Sequence, residues 1–212
     1  MFDENALRNE ICEVGASLFR RGYTVGSSGN ISARLDDGFL ITPGDCSLGA
    51  LTPAVLAKVD CKGEWIEGAR PSKTLHLHRS IYQENLDVKG IIHTHSTHLV
   101  LLTLNGVWDS EAILPPITPY QVMKIGRIPL IAYRRPGSPL VIEQVKAIAA
   151  QVNGVMLERL GPVVWGQSVR KAAESLEELE ETAKLWNLAQ RKPEPLTAIA
   201  LSELTEAFNC VW

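Results

Sequence analysis

The segment Val88-Lys89-Gly90-Ile91-Ile92-His93-Thr94-His95 constrains the fold of this chain more than any other part of the sequence. Its apolar run predicts a buried β-strand over residues 88–94, with two histidines at the end of that strand. In a strand, residues i and i+2 project from the same face about 6 to 7 Å apart, so both imidazoles can reach one cation. The pattern predicts half or more of a divalent-metal site, and a pair of hydrogen-bonded polar groups at a strand end is the alternative.

The residues after this strand add to the polar character of its end. Ser96, Thr97 and His98 follow directly, and a helix is predicted over residues 96–105. A third histidine so close favours a polar pocket with titratable groups over a surface pair.

Composition limits the chain to one domain. With 212 residues, 45% of them hydrophobic and 21% charged, the chain can bury a core large enough to need no disulfides. Pro193 and Pro195 interrupt the last long helical pattern. We therefore expect a single domain over residues 1–192 and a C-terminal tail over residues 193–212, which forms a short helix or a docking segment.

Charge and targeting signals narrow the class of protein. A net charge of −3 and a pI near 6.0 argue against nucleic acid and membrane surfaces as partners. The 4 cysteines show no C-x-x-C spacing, and the N-terminal residues lack the features of a signal peptide. No run of apolar residues is long enough to span a bilayer. We expect a cytoplasmic protein with reduced thiols.

Hydrophobic periodicity and turn residues predict an α/β fold. Helices are expected over residues 4–21, 73–84, 96–105, 139–152 and 168–190. Strands are expected over residues 31–35, 39–41, 88–94, 130–132, 155–157 and 163–165, with a further hairpin over 59–66. Helices that flank short, mostly antiparallel strands favour a three-layer α/β/α sandwich around a mixed, mostly antiparallel central sheet.

Four short motifs occur in an order and at spacings that resemble the class II aldolase/adducin family, whose type member is L-fuculose-phosphate aldolase. They are Gly29-Asn30-Ile31-Ser32, Ile41-Thr42-Pro43, Pro71-Ser72 and His93-x-His95. The resemblance covers residues 5–190. Four further segments look most like the branch that contains the 3-oxo-tetronate 4-phosphate decarboxylases: residues 21–30, 96–98, 118–123 and 176–183.

The resemblance implies a Zn²⁺-dependent lyase that acts on a phosphorylated ketose or keto acid, with active sites at the interfaces of a cyclic homotetramer. It implies His93 and His95 as metal ligands. It also implies a phosphate site formed by Gly29, Asn30, Thr42, Gly44, Ser72 and Lys73.

The phosphate assignment has a physical reason, because Ser72 and Lys73 lie where a helix is expected to begin. The alternative is that Pro71-Ser72 only caps that helix. The carboxylate of Asp45 would repel a phosphate unless it points away.

The chain departs from the family's aldolases at two positions. Thr74 replaces their glutamate base, and Leu160 replaces their third metal histidine. Thr74 cannot act as a base near neutral pH and Leu160 cannot ligate a metal, so we expect the metal to be weakly bound, bound with the help of substrate oxygens, or absent. Glu158 and His98 are candidate substitute ligands. Two more histidines, His76 and His78, fall on the helix after Lys73, where His78 could face the site but packing or capping is expected.

These departures favour one reaction over another. Aldol cleavage needs a base to remove a hydroxyl proton, whereas loss of CO₂ from a β-keto acid needs an electron sink and then a proton donor. Tyr120 aligns with the acid of the type member and is the predicted donor, with interfacial packing as its alternative role. Tyr120 and Thr74 are thus the predicted catalytic positions.

We expect a metal-assisted carbon–carbon lyase that converts 3-oxo-tetronate 4-phosphate to dihydroxyacetone phosphate. Two alternatives remain open. One is a sugar-phosphate aldolase of the L-fuculose-phosphate type, and the other is a non-catalytic, adducin-like relative.

Overall fold

The computed structural model describes residues 3–212. Its helices are α1 Glu4–Arg20, α2 Leu75–Glu84, α3 Thr97–Asn105, α4 Pro119–Lys124, α5 Pro139–Ile148, α6 Val169–Leu188 and α7 Ala198–Phe208. Its strands are β1 Asn30–Arg34, β2 Gly38–Ile41, β3 Ala57–Asp60, β4 Trp65–Glu67, β5 Gly90–His93, β6 Leu130–Ile131, β7 Gly154–Leu157 and β8 Gly161–Gly166.

The strands form a single mixed sheet in the order β4-β3-β2-β1-β5-β8-β7-β6. Neighbouring strands run antiparallel except for β6 and β7, which are parallel. Strand β5, which ends in His93, lies at the centre of the sheet between β1 and β8. The mixed, mostly antiparallel sheet predicted from the sequence is therefore confirmed.

Each face of this sheet carries its own hydrophobic core, because successive strand residues point to opposite faces. Ile92 and Val164 belong to one cluster and Ile91 and Val163 to the other. Helices α1, α3 and α6 contribute to the first cluster, and α2 and α5 contribute to the second. The helices thus cover both faces, which confirms the predicted three-layer α/β/α sandwich.

Local signals explain the longest helices. Asp3 caps α1, with its Oδ1 accepting from the Ala6 N–H at 3.1 Å. Ser168 caps α6 in the same way, accepting from the Lys171 N–H at 3.0 Å. The buried stripe of α6 includes Ala172, Leu176, Leu179 and Ala183, at the helical spacing that the sequence showed.

The local sequence signals and the structure differ at two places. Residues 52–53 resemble a helix start, but only a 3₁₀ turn, Pro53–Val55, forms there. The sequence did not predict α4, whose six residues are too few for a hydrophobic periodicity to show. Its signal is local, since Thr118 is its N-cap and Pro119 follows.

The C-terminal residues form a helix that lies against the rest of the chain. The Leu196 N–H donates to the Pro116 carbonyl at 2.7 Å, and the Arg127 guanidinium lies 5.9 Å from the centre of the Trp212 ring. The division into a domain over residues 1–192 and a tail over residues 193–212 stays a prediction. Within residues 3–212, every helix is too short or too polar to cross a membrane.

Candidate active site

The site is built around the end of β5, where the central strand stops. His93 is buried there, opposite Asn30 of β1 and Val163 of β8. Its Nδ1 lies 2.8 Å from the carbonyl oxygen of Pro162. A carbonyl can only accept, so Nδ1 carries the proton and the lone pair of Nε2 remains for a ligand.

The two predicted metal histidines lie side by side. The ring centres of His93 and His95 are 5.1 Å apart, and the rings are inclined at 63°. Burial lowers the pKa of His93 to about 4, with the neighbouring His95 as a smaller cause, and burial also lowers the pKa of His95. Both imidazoles are therefore neutral near pH 7, which is the form that binds metals.

A third protein ligand for this pair is absent from the part of the chain that the structure describes. No group of three or more His, Cys, Asp or Glu side chains in residues 3–212 could hold a metal ion. Glu158 accepts from the Tyr133 N–H at 2.7 Å, and the backbone N–H of His98 donates to Glu180 at 2.8 Å. Neither candidate substitute, Glu158 or His98, therefore forms a three-ligand cluster with the pair in this part of the chain. The pair fits a two-ligand site and not a three-ligand catalytic zinc site.

A cavity of about 160 Å³ adjoins His93. Lys73, Thr74, Glu158 and Leu160 are among the residues that line it. Two arginines, Arg134 and Arg135, line it as well, and most of the other lining side chains are apolar, including Leu77, Ile131, Val141, Ile142 and Leu157. The structure thus brings both departures from the family pattern, Thr74 and Leu160, to the cavity that contains His93.

The segments predicted to bind phosphate come together through backbone contacts. Pro43 forms an isolated β-bridge with Pro71, and the Ser72 N–H donates to the Thr42 carbonyl at 3.2 Å. The Ser72 and Thr74 hydroxyls are 2.9 Å apart. The turn after β2 and the segment before α2 therefore lie next to each other, as the phosphate hypothesis requires.

Gly29 joins this group because of its backbone conformation. Its φ of 87° is in the left-handed region, and a Cβ built on it would lie 2.8 Å from the His93 carbonyl oxygen. Only glycine fits this position without strain. The close approach holds the Gly29-Asn30 loop against the end of β5.

Two details of the phosphate prediction need correction. Helix α2 begins at Leu75 and not at Lys73, because Thr74 is the N-cap and the Leu75 N–H donates to the Ser72 carbonyl at 3.0 Å. The backbone N–H groups of Ser72 and Gly44 are already bonded, that of Gly44 to the Arg70 carbonyl at 3.1 Å. An anion here would be bound by side chains more than by a helix terminus.

His78 does not take part in the histidine pair. It is fully buried on α2, and its two ring nitrogens lie 2.6 Å from Asn30 Oδ1 and 2.7 Å from Ser32 Oγ. This agrees with the packing role expected of it. The contact with Ser32 was not predicted, although Asn30 and Ser32 are two residues apart on one strand and so share a face.

Tyr120 lies apart from the cavity within one chain. It is on α4 and exposed, and it is not among the residues that line the cavity beside His93. A single chain therefore does not bring this predicted proton donor to the histidine pair.

Comparison with known proteins bears on the chemistry of this site. The model of the class II aldolase and adducin N-terminal domain matches residues 9–187. A Cupriavidus necator protein named 3-oxo-tetronate 4-phosphate decarboxylase is 59% identical, over 100% of both chains.

Solved structures of related proteins are also similar to this chain. The crystal structure of Escherichia coli YgbL, described as an aldolase, epimerase or decarboxylase, is 42% identical, covers 95% of this chain and 98% of its own, and has a TM-score of 0.91. An L-fuculose 1-phosphate aldolase is 23% identical over 96% of both chains, with a TM-score of 0.84, and this likeness concerns the fold.

Proposed function

The chain belongs to the class II aldolase/adducin family, and we propose that it is a carbon–carbon lyase that decarboxylates 3-oxo-tetronate 4-phosphate. The observation that carries this proposal is the 59% identity, over the full length of both chains, to the relative with that name. In this reaction the C1–C2 bond breaks and CO₂ leaves. The electron pair of the broken C1–C2 bond moves to the C3 oxygen. A proton added at C2 then gives dihydroxyacetone phosphate.

The nature of Thr74 is consistent with this reaction. A threonine hydroxyl cannot take up a substrate proton at neutral pH, so aldol cleavage would lack its base here. Decarboxylation removes no proton from the substrate.

The substrate's phosphate is assigned to the side chains that meet beside the sheet. Lys73 supplies a positive charge, and the hydroxyls of Thr42 and Ser72 supply donors. Thr42 Oγ1 accepts from the Ile31 N–H at 3.1 Å, which leaves its own proton free to donate. Gly29 and Gly44 would shape the loops, and Asn30 would add its amide.

A divalent cation, Zn²⁺ in our proposal, would take His93 and His95 as its protein ligands and would bind weakly. When bound, it would supply a Lewis acid for the enediolate oxygens. Without a bound cation, the two histidines would still orient the substrate, because each neutral ring offers it a polar nitrogen. His93 is fixed for this purpose by its bond to the Pro162 carbonyl.

Proton return to C2 is assigned to Tyr120 of a neighbouring subunit. Tyr120 is exposed in the single chain, as an interfacial residue would be before assembly. We therefore propose a homotetramer with sites completed between subunits, acting in the cytoplasm.

The proposal is tested by offering the purified protein, with Zn²⁺ added, both candidate substrates. Release of CO₂ and dihydroxyacetone phosphate from 3-oxo-tetronate 4-phosphate should be faster than cleavage of L-fuculose 1-phosphate. Faster aldol cleavage would contradict the assigned reaction. Inactivity towards both, unchanged by His93→Ala, would instead support an adducin-like role.

A further inference from the structure

Four buried polar side chains form a hydrogen-bonded line from α2 to the start of β1. His78 Nε2 lies 2.6 Å from Asn30 Oδ1, and His78 Nδ1 lies 2.7 Å from Ser32 Oγ. Ser32 Oγ lies 2.8 Å from the Tyr82 hydroxyl. Asn30 and Ser32 share one face of the strand, and His78 and Tyr82 are one helical turn apart. The strand and the helix therefore each present two of these side chains to the other.

The direction of each hydrogen bond follows from the chemistry of its groups. The carboxamide oxygen of Asn30 can only accept, so His78 Nε2 carries a proton and donates it. Burial lowers the pKa of His78 to about 3, so the ring is neutral and Nδ1 has a lone pair. Nδ1 then accepts from the Ser32 hydroxyl, which accepts in turn from Tyr82.

This arrangement leaves one end of the Asn30 carboxamide free. Within residues 3–212 the amide nitrogen of Asn30 makes no hydrogen bond, while its oxygen is engaged by His78. The nitrogen has two N–H donors, which suit an anion, whereas the oxygen would repel one. Rotation of the carboxamide by about 180° would exchange its nitrogen and its oxygen, and the hydrogen bond from His78 opposes this rotation.

We propose that His78 is a positioning residue that holds the Asn30 carboxamide with its N–H donors available to the substrate's phosphate. The inference rests on the proposed phosphate site and adds to it the residue that sets the orientation of Asn30. His78 itself does not touch the substrate.

Two substitutions at one position test this role. In His78→Gln the side-chain amide reaches the place of Nε2 and can still donate to Asn30. In His78→Asn the shorter amide reaches only the place of Nδ1 and can bond Ser32 alone. Both variants replace the buried ring with an amide. Each therefore controls for the loss of stability that this replacement causes in the other.

Binding of inorganic phosphate, measured by isothermal titration calorimetry, is the first readout because it needs no turnover. His78→Asn should weaken binding about tenfold or more, and His78→Gln should stay within about threefold of the wild type. With substrate, His78→Asn should raise KM and change kcat little. Equal binding by both variants, or failure of the wild type to bind phosphate, would overturn the proposal.

A second readout measures the tautomer of His78 in the wild-type protein and does not depend on phosphate binding by the variants. Nitrogen-15 NMR of the histidine rings, with the His78 signals assigned by their loss in His78→Gln, should show a proton on Nε2 and none on Nδ1. The opposite tautomer would refute the proposed orientation. Phosphate binding that follows these expectations without decarboxylase activity would support the role of His78 and contradict the proposed reaction.

Discussion

Asn30 lies directly opposite His93 in the antiparallel pairing of β1 with β5. One residue belongs to the loop assigned to phosphate and the other to the histidine pair, so a single strand register sets the distance between the two halves of the site. A slip of β1 by one residue would turn Asn30 to the other face of the sheet, away from His93.

Replacement of Leu160 by histidine should strengthen zinc binding, because it adds a third imidazole beside the pair. We expect Leu160→His to bind Zn²⁺ at least about tenfold more tightly than the wild type, measured by competition with a chelator. Leu160→Phe, which adds a ring without a nitrogen, is the matched control. Equal zinc affinity in all three proteins would show that position 160 does not face the pair.

Gly29→Ala should destabilise the fold by about 2 kcal/mol and abolish phosphate binding. The new Cβ would meet the His93 carbonyl at 2.8 Å, in a backbone conformation that is already unfavourable for alanine. Gly22→Ala is the control, because Gly22 has a φ of 78° but nothing within 4 Å of its Cβ. Urea denaturation of the two variants distinguishes the effect of the contact with the His93 carbonyl from the cost of placing alanine at a positive φ. If both variants lose the same free energy of unfolding, the contact with the His93 carbonyl does not contribute to the loss.

Acidification should destabilise the protein in part through His78. Its folded pKa, about 3, lies below the ordinary histidine pKa of 6.5, so the unfolded state binds the proton more readily between these pH values. Its contribution is fully present above about pH 6.5 and is lost as the pH falls. From pH 7 to pH 5 the free energy of unfolding should drop by roughly 2 kcal/mol on account of this residue. Denaturation at both pH values should show a smaller drop in His78→Gln, and an unchanged drop would refute the assignment.

Tyr120→Phe should lower kcat about 100-fold or more if the hydroxyl returns the proton to C2. Because the tyrosine is assigned to a neighbouring subunit's site, an inactive Tyr120→Phe protein mixed with an inactive His93→Ala protein should regain activity. Mixed tetramers contain some sites with both groups intact. Light scattering should give a mass near four times the 23.3 kDa chain, and a monomer would contradict the shared site.

The fold and the parts of the site were predicted from local patterns. The strand that ends in His93, the capped helices and the glycine-containing turns each follow from the chemistry of a few neighbouring residues. The positions of Thr74 and Leu160 beside His93 agree with the family pattern. Periodicity could predict these elements because burial repeats along a strand or helix.

The boundary of α2 and the roles of Glu158, His98 and His78 depended on tertiary structure. Helix α2 starts late because Ser72 pairs with Thr42, a residue distant in sequence. Glu158 and His98 were candidate ligands because of their positions in the sequence, but within residues 3–212 they do not form a metal-binding cluster with His93 and His95. Hydrogen bonds between distant residues leave no periodic pattern in a single sequence.

The sequence by itself thus determined most of the helices and strands, the layered architecture and the histidine pair, because each of these depends on residues close together along the chain. Tertiary structure alone decided which polar groups are already bonded and which are free. It brought α2 against β1, so that both ring nitrogens of His78 are bonded to Asn30 and Ser32. Such pairing is set by how the elements pack, since a hydrogen bond requires two atoms to lie within about 3 Å of each other.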